Sequence, residues 1–237
     1  MFEAAANGDA GDIYRLALDD VLLLHIEGTQ KIERARESGL ECIASSIAYD
    51  ERLFRYELEE FAEYGVPEVA GAACGRPIAP ELDSIAAELD RLPRVFSHRD
   101  YHGQNLYVQK RADGELRLRM IDFQDALMAP ATQDLAVLLT TRDTSRIISE
   151  RVEQRLLDYY FAASLRRGAQ ALTFEEYMRS YWLCVLQHAL KVIGRFIKLE
   201  RQGKRGYAVF IPYALAQARR SLARLGGLPE LHAALAT

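Results

Sequence analysis

A single break in an otherwise helical pattern constrains what this chain can fold into. In "GDIYRLALDDVLLLHIEG", Ile13, Leu16 and Val21 to Leu24 form a broad apolar face that can open at an Asp12 cap and stop at Gly28. "DERLFRYELEEFAEYG" and, after Pro80, "ELDSIAAELDRL" read as two further helices. Between residues 95 and 122 the period changes to two. "NLYVQK" and "LRLRMID" alternate, and the "RADGE" between them carries Asp113-Gly114, a strong two-residue turn signal. Helical spacing returns at Thr132 with "TQDLAVLLTTR" and "SRIISERVEQRLLDYYFAASLRR". It continues through a long run opened by a capping box of Thr173 with Glu176. The pattern implies a mainly α fold with a small β-hairpin, and shows no repeat, low-complexity linker or domain boundary.

The hairpin gathers the polar residues beside it. If Asp113 and Gly114 alone form the turn, Leu106 faces Ile121 and Asn105 faces Asp122. Directly opposed residues share one side of the ladder with Cβ atoms about 5 Å apart. An amide and a carboxylate so placed offer oxygen ligands, which suit a hard cation such as magnesium. Asp100 lies in the loop just before, where a carboxylate can take the proton of a substrate hydroxyl. A bulge or a longer loop would shift the register by one and turn the pair apart.

At 237 residues the chain has ample mass to bury a core, and 49% hydrophobic with 27% charged residues is an ordinary globular balance. A net charge of −4 provides no general attraction to nucleic acid or to anionic membranes. Cys42, Cys74 and Cys184 have no metal-ligand spacing and read as thiols of a reducing compartment. Without a signal pattern or a membrane-length apolar run, the expected location is cytoplasmic.

The segment "HRDYHGQN", residues 98 to 105, followed by "IDFQDALMAPATQDLAVLL", resembles the catalytic loop and metal-binding segment of protein-kinase-like phosphotransferases. The further run is similar to the aminoglycoside and choline phosphotransferase superfamily, and most of all to its anomeric sugar kinases for N-acetylmuramate and N-acetylglucosamine. The specific likeness covers residues 96 to 139. A weaker one, in helix order and in "YDERLFRYELEEF", covers most of the chain.

That resemblance implies an ATP-dependent kinase of an amino sugar, with ATP as co-substrate and Mg²⁺ as metal. Asp100 is then the catalytic base, Asn105 and Asp122 are the magnesium ligands, His98 anchors the loop, and Asp134 braces it. Glu57 and Asp125 are candidate substrate contacts. An aminoglycoside, choline or other amino-alcohol acceptor on the same machinery is the alternative, as is a non-catalytic remnant or binding module. Simpler readings stand beside these. Asp100 and Asn105 are common turn residues, Asp134 suits any first helical turn, Glu57 lies on a polar helix face, and Asp125 fits a solvated loop. His25, His102, His188 and His232 are scattered and read as core or surface residues.

The same resemblance implies an amino-terminal nucleotide lobe of strands, with a phosphate-covering loop and a pairing lysine. This sequence begins with a helix, has no G-x-G-x-x-G or P-loop, and offers only Lys31 as a lysine before residue 110. The expectation is therefore that residues 1–237 form the carboxy-terminal lobe alone, with little activity by themselves.

Overall fold

The structure is a computed structural model that describes Met1, Ala5 and residues 10–40, 42–69, 77–142 and 144–236. Among the described residues the elements are mainly helical, interrupted by four short strands. They fall into two compact units, each assembled from three stretches of chain. The first comprises Met1–Ala48, Pro93–Leu139 and Thr144–Tyr177, and the second Tyr49–Leu92, Thr140–Asp143 and Met178–Thr237.

In the first unit α1 (Ala10–Leu23) continues through a π-helical turn, Leu24–Gly28, into α2 (Thr29–Glu37). Asp12 lies within α1, so the expected cap is a helical residue. Gly28 does not stop it. A Cβ there would come within 2.7 Å of the Phe96 ring, so this glycine admits a close neighbour. The apolar face of α1, with Tyr14, Ala17, Leu18 and Val21 fully buried, packs on a later helix, Glu150–Arg166, in which Leu156, Leu157 and Tyr160 are buried. Leu18 and Val21 each contribute about 1.5–3 kcal/mol on burial.

Two small sheets complete this unit. β1 (Arg94–Ser97) pairs antiparallel with β4 (Leu127–Pro130), from Arg94 opposite Pro130 to Ser97 opposite Leu127. Neither strand is evident from sequence alternation, because each is only four residues long. β2 (Leu106–Lys110) and β3 (Leu116–Met120) form the expected hairpin, with a different register: Leu106 faces Met120. The reason is the turn. Arg111 N–H bonds to the Glu115 carbonyl at 2.8 Å, and Gly114 takes φ +88°, which makes a three-residue loop with its glycine in a left-handed conformation. Asn105 is thereby set opposite Ile121, whose N–H donates to the Asn105 carbonyl at 3.0 Å.

The described residues of the second unit form α-helices and short helical turns. Asp50 caps Glu51–Glu60 by accepting from the Leu53 N–H, and a π turn, Phe61–Gly65, follows. The long helix Phe174–Arg201 opens in the first unit with the expected box, Thr173 N–H donating to Glu176 at 2.8 Å. Its later part belongs to the second unit. There Gly194 meets the backbone of Glu60 and Phe61 so closely that a Cβ would lie 2.4 Å from them. Ile211–Leu225 and Pro229–Leu235 close the chain. Cys42 is exposed and Cys184 buried, while Cys74 lies outside the described residues.

Candidate active site

β1 runs directly into the loop 98–105, and β4 runs directly into the helix Ala131–Thr140, which carries Asp134 in its first turn. Pairing of β1 with β4 therefore delivers the loop to that aspartate. Asp134 is fully buried, and its carboxylate accepts three donors in the unit. Oδ1 takes the Arg99 N–H at 2.8 Å, and Oδ2 takes the His98 N–H at 2.9 Å and His25 Nε2 at 3.0 Å. Burial by itself would raise its pKa. The bonds and charge of His25, with the His98 backbone, outweigh burial and hold it below the usual carboxylate range. An ionised carboxylate can accept all three donors at once. Arg99 needs that hold, since its φ of +71° is left-handed and costly for a residue with a Cβ.

Asp100 follows, half exposed, and three contacts orient it. His102 Nε2 stands 3.4 Å from Oδ1, Asn105 Nδ2 lies 3.4 Å from Oδ2, and the same Nδ2 donates to the Asp100 carbonyl at 3.0 Å. The Asn105 amide also reaches Asp122 Oδ2 at 3.5 Å. Asn105 and Asp122 thus meet although the register places them out of opposition. The ladder ends at Met120, and Asp122 adopts φ +66°, a left-handed conformation that aspartate tolerates better than most residues. That turn of the backbone lets the Asp122 carboxylate reach Asn105. His98 Nε2 bonds to the Ile121 carbonyl at 3.0 Å, and Gln124 Nε2 donates to Asp122 Oδ1 at 2.9 Å.

Asn105 is buried, while Asp122 and Asp125 are exposed. Among the described residues no three His, Cys, Asp or Glu side chains gather as a metal cage. One carboxylate and one amide in an open position instead fit a cation that keeps water and takes phosphate oxygens, as magnesium does. Glu57 belongs to the second unit. It is 2% exposed, and its oxygens are engaged by the Tyr49 hydroxyl, Gln187 Nε2 at 2.9 Å and Lys191 Nζ at 2.8 Å. In this structure it has the place of a buried ion-pair partner.

Sequence reasoning missed three contributors: His25, Gln124 and Tyr101, whose hydroxyl donates to the Ala17 carbonyl at 2.8 Å. His25 left a signal, since it continues the stripe Tyr14, Leu18, Val21 and Leu22 on the buried face of a helix.

Residues 42–172 match the phosphotransferase enzyme family. An N-acetylmuramate/N-acetylglucosamine kinase of Caulobacter vibrioides is 30% identical over 212 residues, which cover 87% of this chain and 55% of that protein. The Pseudomonas aeruginosa protein of the same name is 30% identical over 236 residues, covering 97% of this chain and 64% of its own length. The chain thus spans somewhat over half the length of these curated relatives. Among solved structures, Plasmodium vivax ethanolamine kinase shares the fold at a TM-score of 0.50 and 13% identity, over 89% of this chain and 59% of that one.

Proposed function

The chain belongs to the phosphotransferase enzyme family, and on that premise we propose that it is the catalytic-loop lobe of an ATP-dependent amino-sugar kinase. The observation that carries this reading is the Asn105 amide, within 3.4 Å of Asp100 and 3.5 Å of Asp122. One side chain gathers a base and a metal-binding carboxylate around an open position. Asp100 accepts the proton of the acceptor hydroxyl as its oxygen bonds to the γ-phosphorus and the bond to the β-phosphate oxygen breaks, releasing ADP. Asn105 and Asp122 hold Mg²⁺, which supplies charge neutralisation on the nucleotide phosphates. His98 and Asp134 keep the loop in place. The acceptor class, N-acetylmuramate or N-acetylglucosamine, is supported by the names of relatives at 30% identity. Asp125, exposed and three residues past Asp122, is the acceptor-side candidate in this reading; Glu57 has the lesser claim because it is buried.

The remaining length of the relatives is the proposed source of the nucleotide cover. Tyr107, Ile121 and Phe123 are exposed around this site, an apolar surface that a covering lobe would bury. Among the described residues no helix is long and apolar enough to cross a membrane. In this reading the need for ATP favours a cytoplasmic location.

The test compares Mg²⁺- and ATP-dependent phosphorylation of both sugars by this chain and by a chain extended at its amino end to the length of those relatives. Each is run beside its Asp100→Asn variant. The extended chain is expected to turn over, and Asp100→Asn to reduce its rate by roughly a thousandfold or more. Little turnover is expected from the short chain, since a triphosphate without a cover stays in water, where charge interactions are weak. Turnover of choline or an aminoglycoside in place of the sugars would reassign the acceptor. Inertness of the extended chain toward all of them would mark a non-catalytic remnant.

A further inference from the structure

The two residues flanking Asp100 in the loop are tied, by separate routes, to one helical segment. On one side the backbone N–H groups of His98 and Arg99 are held by Asp134, and Asp134 in turn by His25 in the π turn after α1. On the other side Tyr101, fully buried, donates to the Ala17 carbonyl of α1 itself. His25 does not end the chain of bonds. Its Nδ1 lies 2.6 Å from the Tyr160 hydroxyl, and Tyr160 stacks on Tyr177, whose hydroxyl donates to the Leu157 carbonyl at 3.2 Å.

The chemistry of these groups fixes their roles. An ionised Asp134 carboxylate only accepts, so His25 Nε2 carries the proton that faces it. Nδ1, on the other side of the ring, stands against the Tyr160 hydroxyl. Burial, and next the charge of Asp134, hold the Tyr160 phenol far above its ordinary range, so it stays a neutral donor. His25 is 2% exposed, and a histidine there without both partners would be a buried polar group at a cost. Its position also depends on the π turn, a feature that recurs at functional sites. The same turn brings Gly28 against Phe96 of β1, and Thr29 Oγ1 accepts the Phe96 N–H at 2.7 Å, so the strand that enters the loop is fastened to the same helix.

We propose that His25, fixed by Tyr160, is a positioning residue that sets the conformation of the Asp100 loop by orienting the Asp134 carboxylate against the strained Arg99 backbone. This rests on the kinase reading for its purpose. It does not rest on it for its geometry. His25 itself touches neither the base nor the metal-binding pair.

The test separates the two ring nitrogens in the chain as it stands. His25→Gln places an amide N–H near where Nε2 stands and keeps the donor to Asp134. His25→Asn is too short for that and reaches only the position of Nδ1. Hydrogen exchange by NMR follows the His98 and Arg99 amides, with Val185 and Leu186 of the long helix as the reference for global opening. In His25→Asn the two loop amides are expected to lose about tenfold or more of their protection while the reference amides hold. In His25→Gln they should stay within roughly threefold of wild type. Tyr160→Phe keeps the ring and removes only the hydroxyl, so it should show a smaller loss at the same two amides. It also serves if His25→Asn fails to fold. Equal behaviour of the Gln and Asn variants, loss shared evenly by loop and reference amides, or no change in any variant would each reduce His25 to a space-filling residue. In the extended chain the same Asn variant should lower kcat and leave KM for ATP and sugar unchanged. Loss of loop protection in a protein that phosphorylates nothing would leave the positioning role standing and remove the kinase reading. Turnover with unchanged protection would do the reverse.

Discussion

Glu57 and Glu60 in the second unit, and Asp100 and Asp122 around Asn105 in the first, are two pairs of neighbouring carboxylates in opposite surroundings. Glu57 meets Lys191 at 2.8 Å, and Glu60 meets Arg195 at 2.6 Å and Lys198 at 3.0 Å; both glutamates are nearly out of contact with water. Asp122 is exposed, and the groups donating to its oxygens are the neutral amides of Gln124 and Asn105. Burying a carboxylate costs several kcal/mol unless a cation and further donors compensate, so the glutamates come with cations built in. An exposed aspartate held only by amides needs no such partner for folding and keeps its charge for something else. The contrast separates carboxylates that fasten helices from those that can serve chemistry.

The largest expected effect tests the fastened pair. Glu57→Ala strips the partner from Lys191, Tyr49 and Gln187 and should cost about 3 kcal/mol in urea unfolding, with Glu57→Gln intermediate. An Ala variant as stable as wild type would mean that the cations do not distinguish the two pairs.

Asp134 lies between the two categories, because it is buried yet supports the open pair. Asp134→Asn leaves His98, Arg99 and His25 without a full set of acceptors, at about 2–3 kcal/mol at neutral pH. The sign with pH follows from its depressed pKa. The stability it contributes is fully present above the unfolded value of about 3.9 and is lost as pH falls through the lower folded value. The gap between variant and wild type should therefore be constant from neutral pH down to mildly acid and close only in strong acid. A gap that closes between pH 7 and 5 would assign the effect to another group.

For the open pair the expected effect on folding is small. Asp122→Ala should melt within about 1 kcal/mol of wild type, or above it, since it removes a charge near Asp100 at the cost of one exposed amide bond from Gln124 and the long contact with Asn105. Wild type should gain stability from millimolar Mg²⁺ by mass action, and Asp122→Ala should not. An equal shift in both would place the ion elsewhere.

Much of this contrast was legible in the sequence for one pair and hidden for the other. The crowding of His98, Asp100, Asn105 and Asp122 around a hairpin shows in the alternation of "NLYVQK" and "LRLRMID", because a two-residue period is visible in a single strand. The register was not legible: Asp113-Gly114 serves equally as the tip of a two-residue or a three-residue loop, and only the backbone of Gly114 decides. Asn105 and Asp122 meet through the positive φ of Asp122, which no local pattern announces. Glu57 shows a polar residue on a helix face and nothing of Lys191, which lies in a distant stretch of chain. The two units stay hidden for the same reason, since each draws on three segments and no linker marks a boundary. Gly28 misleads because a glycine that ends a helix and one that admits a neighbouring ring look alike.

The smallest effect concerns Asp20, a carboxylate that is neither fastened nor plainly free. Its pKa is raised, first by burial and then by the adjacent charge of Asp19, with Arg117 opposing both. Asp19 itself accepts the Tyr159 hydroxyl at 2.6 Å, which leaves Asp20 the less compensated of the two. A carboxylate with a raised folded pKa destabilises the fold above that value, and the penalty fades as pH falls through it toward the unfolded value. Asp20→Asn should therefore melt slightly higher than wild type at pH 7, and the difference should shrink as the buffer is taken toward pH 4. Melting curves of the two proteins across that range measure it. A variant less stable than wild type at pH 7 would show that Arg117 outweighs burial and that Asp20 belongs with the fastened glutamates.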